Sequence, residues 1–117
     1  SGSSALKPVT TVTQSGTVLT INYATTKVAR VVRGATAISS IVIQNPAPTG
    51  TETSLDIMFT NGVSSPGALA FNISGATVTT IFGESVVVPT ANGAQLGVRL
   101  VSYDGGATYM CTPIWRL

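Results

Sequence analysis

A chain of 117 residues that is 44% hydrophobic and only 9% charged has enough apolar mass for one packed domain and is the opposite of a disordered composition. Six basic residues against four acidic ones, net +2, make no footprint for nucleic acid, and no apolar run approaches the ~18–20 residues of a membrane-spanning helix. With one cysteine and no histidine, an internal disulfide, the usual zinc sites and imidazole-assisted nucleophiles are excluded, and no cofactor is expected.

In chain order, "SGSSALKPVTT" lacks the charged start and apolar centre of a signal peptide, and residues 1–14 are expected to form a flexible arm ahead of a single β domain over 15–117. "TVTQSGTVLTINY" alternates, with Val18 and Thr20 on one parity and Leu19 and Ile21 on the other. "KVARVVRGA" can be drawn as a helical face, but its β-branched content and the stop at Gly34 favour a strand. Ile38 to Gln44 reads as a strand ended by prolines that cannot donate to a ladder. "TSLDIMFTNG" places Leu55, Ile57 and Phe59 on one face and Asp56 and Met58 on the other, before an Asn-Gly turn signal.

After the loop "SSPG", the segments "ALAFNISG", "ATVTTIFG" and "ESVVVPTANG" read as short strands, and "AQLGVRLVSYDGGATYMCTPIWRL" as two strands joined at Asp-Gly-Gly. Pro113 marks an edge or a bulge near the end of the last one. About eight short strands with regular turn signals predict an all-β, single-domain antiparallel β-sandwich or jelly-roll-like barrel.

The chemistry-bearing residues are few. Glu52, Asp56, Glu84 and Asp104 are scattered, which disfavours the paired carboxylates of a glycosidase. Cys111, between Met110 and Thr112 with no base nearby, fits a small buried hydrophobe. Lys27, Arg30 and Arg33 fit a solvated or intersubunit strand edge better than a nucleic-acid arm. No glycine pattern cradles phosphate. Trp115 is open to two uses, a stacking platform or an anchor for the last strand, with the anchor preferred.

Three pieces in order, "SGTVLTINYATTKVARVV", "AISSIVIQNPAPTGTETSLDIMF" and "LVSYDGGATYMCTPIW", resemble a trimeric β module of tailed-phage virions, found in tail fibres and spikes and in small head-decoration (cement) proteins. The likeness spans roughly residues 15 to 116. "GATVTTIFGESVVV" lacks the tryptophans frequent in fibre versions, and Tyr109-Met110 stands where a Trp-Tyr pair is common; this weighs against carbohydrate binding more than against the fold. The resemblance implies a non-enzymatic virion part, a homotrimer with no nucleic-acid or membrane partner. The lack of heptads or a repeat favours a capsid decoration protein bound to the major capsid protein; the alternative is a fibre domain binding a host glycan or receptor. On the cement reading, the arm (Ser3, Leu6, Lys7 and Val9) and Lys27, Arg30 and Arg33 are the expected partner contacts, and Tyr103, Tyr109 and Trp115 the aromatic anchors.

Overall fold

The computed structural model describes residues 7–80, 83 and 85–116, without the side chains of Trp115 and Arg116. Among them are eight strands and no α-helix: β1 (Val9–Thr11), β2 (Val18–Asn22), β3 (Val28–Arg33), β4 (Ser40–Gln44), β5 (Thr53–Asn61), β6 (Thr77–Thr80), β7 (Gln95–Ser102) and β8 (Thr108–Arg116). Six of them form one sheet in the order β1-β3-β5-β7-β8-β6, and β2 and β4 form a second. The all-β, single-body expectation is met.

The expectation of antiparallel pairing is not. β1 with β3, β2 with β4, β3 with β5 and β6 with β8 are parallel, and only β5–β7 and β7–β8 are antiparallel. For the first three the cause is the route of the chain. From β1 to β5 it alternates between the two sheets, so each return to the large sheet comes after an excursion through the small one. Residues 12–27, which include β2, are thus the crossover that joins β1 to β3, and parallel neighbours require such a connection.

Period-two patterning decides what is buried. In β5 the inward set is Thr53, Leu55, Ile57, Phe59 and Asn61, and the intervening residues are half-buried. Leu19 and Ile21 of β2 and Ile41 of β4 join Ala29, Val31, Val98, Leu100, Tyr109 and Cys111 of the large sheet in one core. Burying each of the large aliphatic side chains contributes about 1.5–3 kcal/mol. "KVARVVRGA" is indeed a strand, but an interior one, between β1 and β5. It is not the edge expected for Lys27, Arg30 and Arg33.

Two expected strands are absent. Residues 68–74 touch β4 and the link before it only through single bridges, Ile38–Leu69 and Ile41–Ile73, and 85–90 run without regular pairing. Both segments supply apolar side chains to the core, among them Leu69, Phe71, Ile73, Val86 and Val88, so their composition was shaped by burial and not by a ladder. Within the segment expected as an arm, Val9–Thr11 are drawn into the sheet as β1. Ser3 and Leu6 lie outside the described residues.

The closing hairpin is as expected. Asp104 Oδ1 accepts from Ser102 Oγ at 2.9 Å and from the Thr108 amide at 2.9 Å, while Ser102 Oγ accepts from the Gly106 amide at 3.0 Å. Gly106 has φ +88, and a Cβ there would meet Pro46 Cγ at 2.9 Å and the Tyr109 hydroxyl at 3.0 Å. The turn is therefore closed by side-chain oxygens and by a glycine that nothing larger can replace without movement. Further along, the register slips between Gly97 and Val98, which face Trp115 and Pro113, leaving Ile114 as the extra residue of a bulge.

Candidate functional site

The basic trio is dispersed by the fold. Lys27 packs its ammonium over the Tyr23 ring, 3.5 Å from the centroid, and donates to the Tyr23 carbonyl. Arg30 is exposed on the outer face of the large sheet. Arg33 is only 4% exposed, which removes it from the expected partner contacts. Its guanidinium donates to Asn61 Oδ1 at 2.7 Å, to the Pro89 carbonyl at 3.2 Å and to the Gly67 carbonyl at 2.6 Å. Burial pulls its pKa down from the ordinary arginine value, and the carbonyl fork keeps the charge solvated. Asn61 completes the joint by donating to the Pro89 and Ala91 carbonyls, both at 2.9 Å. Arg33 and Asn61 thus tie Gly67 and the 89–91 stretch to the ends of β3 and β5.

The aromatic residues also separate. Tyr109 is 1% exposed and part of the core, and burial raises its pKa. Tyr103 is 63% exposed. Its hydroxyl donates to Glu52 Oε2 at 3.1 Å, and that bond raises its pKa. The side chain of Trp115 lies outside the described residues. Lys7 and Val9 are exposed, Val9 on the outer face of β1.

Beside Tyr103 lies an open concavity of about 580 Å³, floored by Val101 and Met110 and bordered by Thr79, Ser102, Asp104 and Thr108. Asp104 is held below the usual carboxylate range, first by the Thr108 amide and then by the Ser102 hydroxyl. It is an ionised turn acceptor, not a proton donor at neutral pH. Cys111 is fully buried, and desolvation pushes its thiol up to about 11, so it offers no thiolate. Asp56 is engaged by Arg99, with Nε to Oδ1 at 2.7 Å and Nη2 to Oδ2 at 3.0 Å. Among the described residues no nucleophile meets a base, and no three His, Cys, Asp or Glu converge as metal ligands.

Sequence reasoning missed the outer face of the large sheet. Val9, Val28, Arg30, Val32, Asp56, Met58, Arg99, Val101, Met110 and Ile114 lie on it, by the alternation of burial along β1, β3, β5, β7 and β8. Val32 is 56% exposed, Met110 45% and Ile114 39%. The signal was present: the outward parities of these strands carry far fewer charges than a solvated face would.

No family model, curated protein or solved structure matches the chain.

Proposed function

We propose that the chain is a non-enzymatic structural protein of a tailed-phage virion, a capsid decoration (cement) protein that binds the outer capsid surface and stabilises the shell. On this reading the two sheets form a sandwich of jelly-roll type, and identical copies assemble as a homotrimer. The observation that carries it is the outer face of the six-stranded sheet, where exposed apolar side chains such as Val9, Val32, Met110 and Ile114 stand among uncharged polar ones and few charges. Such a face gains by meeting protein surface and gives up little charge hydration in doing so. A ligand that binds only the assembled shell stabilises it by mass action, about 2.7 kcal/mol per site at a hundred times Kd. Several weak contacts in one oligomer add through effective concentration. Co-sedimentation with expanded phage shells tests the reading: binding with a raised disruption temperature is expected, and shells left unoccupied at micromolar protein refute it.

A second reading, a tail-fibre or tailspike domain for a host glycan or receptor, is favoured by the concavity beside Tyr103. The exposed ring is a stacking surface, and Asp104, Thr79 and Thr108 offer hydrogen-bonding groups to sugar hydroxyls. An oligosaccharide array separates the two: a signal lost in Tyr103→Ala favours this second reading, and a silent array removes it.

A further inference from the structure

We infer that Asn92-Gly93 is a site of spontaneous covalent modification, where asparagine converts to aspartate and isoaspartate as the folded protein ages. The fold withholds the same reaction from its other Asn-Gly pair, Asn61-Gly62. The inference stands apart from the readings above. The sequence holds both pairs, and the chemistry asks the same of each. The glycine backbone nitrogen attacks the asparagine Cγ, gives up its proton and expels the side-chain nitrogen as ammonia. Solvent water then opens the cyclic imide at either carbonyl, so that asparagine and water become an acid and ammonia. Glycine favours the first step because no side chain shields its nitrogen and its backbone turns freely.

The nucleophiles of the two pairs are alike. The Gly62 amide donates to the Arg33 carbonyl at 2.8 Å, and the Gly93 amide to the Asn61 carbonyl at 2.8 Å. The difference lies in the group attacked. Asn61 is 2% exposed, and its side chain is held at both ends. Its Oδ1 accepts from Arg33 Nη1 at 2.7 Å, and its Nδ2 donates to the Pro89 and Ala91 carbonyls, both at 2.9 Å. Bringing its Cγ onto the Gly62 nitrogen would break these bonds inside a buried joint. Asn92 instead stands in solvent. It is the second residue of a turn that the Ala94 amide closes on the Ala91 carbonyl at 3.1 Å, with Gly93 at φ +80, the arrangement of a type II turn. Reaction there needs only the release of the Gly93 amide, a local opening at the surface; at Asn61 it needs the opening of a joint between β3, β5 and residues 89–91.

Conversion at Asn92 is felt at that joint, because the turn leans on Asn61. The Asn61 amide donates to the Ala94 carbonyl at 2.9 Å, and the Asn61 carbonyl accepts from Gly93. Isoaspartate routes the chain through its side-chain carbons and lengthens the backbone by one atom just before Gly93. The Gly93 and Ala94 amides are then displaced from the Asn61 and Ala91 carbonyls that they meet. Aspartate leaves the backbone path as it is. Either product adds a carboxylate and lowers the net charge of +2 by one.

The test is mass spectrometry of chymotryptic peptides from the full chain after storage in mildly alkaline buffer, folded and in urea. In the folded protein the peptide carrying residue 92 is expected to gain about 1 Da and to split into two chromatographic forms, roughly tenfold faster or more than the peptide carrying residue 61. In urea, where both pairs are unheld, the two are expected to convert at similar rates. Equal rates in the folded protein overturn the inference, as does an Asn92 that stays intact there while the urea sample converts. Asn92→Ser keeps a turn-forming residue and is expected to abolish the gain; a gain that persists in that peptide refutes the assignment. Of the two separated products, the isoaspartate form is expected to unfold at lower urea than the aspartate form, and equal midpoints overturn the link to the Asn61 joint.

Discussion

Arg33 is held by three oxygens from three separate segments, at 2.6 to 3.2 Å, so its loss is felt beyond its own strand. Arg33→Ala leaves the Asn61 and Gly67 oxygens without their donor and is expected to destabilise the fold by about 3 kcal/mol. Arg33→Lys, which cannot reproduce the fork, should fall in between. Urea denaturation reads both. The inward turn of Arg33 was legible in principle. Residues 30 and 33 are an odd number apart, so on one strand they point to opposite faces, and Arg33 shares the parity of Ala29 and Val31. Counting three cations in seven residues concealed what the alternation already implied. The Asn61 and Gly67 partners were not legible, because they are distant in sequence and meet only through the path of an irregular loop.

Cys111 gives a pH prediction at the same scale. Its thiol is near 9 when unfolded and about 11 in the fold. Above the lower value the unfolded chain loses a proton that the native state keeps, so the native state binds more protons and stability falls with rising pH. The loss begins near pH 9 and continues until about 11. Cys111→Ala should flatten the slope of stability against pH in that window, measured by urea midpoints. Thiol reagents at neutral pH should react only as fast as the protein opens.

At the scale of elements, the closing hairpin is where local sequence decided most. Asp104 and Gly106 were readable as a turn, and both hold it through the bonds that the Ser102 and Thr108 groups complete. Gly106→Ala sets a side chain at positive φ and against Pro46 and Tyr109. It is expected to cost about 2 kcal/mol or more, against about 1 kcal/mol for Gly105→Ala, whose Cβ meets only Thr49 at 3.0 Å or beyond. Thermal midpoints of the two variants rank them. Gly105 and Gly106 look alike in the sequence; only the return of the Asn-Pro loop beside the hairpin, which brings Pro46 within reach, distinguishes them. Segments 68–74 and 85–90 show the converse. Their Val, Ile and Phe content was read as strand, yet those residues pack inward with few or no bridges. Burial and pairing select similar residues, and composition alone does not separate them.

For the whole molecule, strand direction was the property least visible in the sequence. Alternation tells which side chains are inward and is the same for parallel and antiparallel neighbours. Direction here follows from a chain that shuttles between two sheets. The same route makes nearly every ladder non-local, so refolding is expected on the millisecond-to-second scale of β proteins, measurable by stopped-flow fluorescence. β1 has a further effect at this scale. It pairs with Val28, Ala29 and Arg30 on the outer edge of β3, whose backbone groups would otherwise be open to pairing. Deleting residues 1–11 is expected to raise aggregation in turbidity assays more than it lowers the melting temperature.

The order of β6 and β8 has a consequence during synthesis. β6 has β8 as its neighbour in the sheet, and β5 reaches the closing hairpin only through β7. A ribosome therefore delivers Thr80 and must translate on to Thr108 before β6 has a strand to pair with, an interval of roughly one to six seconds at ordinary elongation rates. During it β6 has no ladder, while β5 already has β3 beside it and gains β7 only near the end. The hairpin is the clasp of this fold, and among the described strands it is made last.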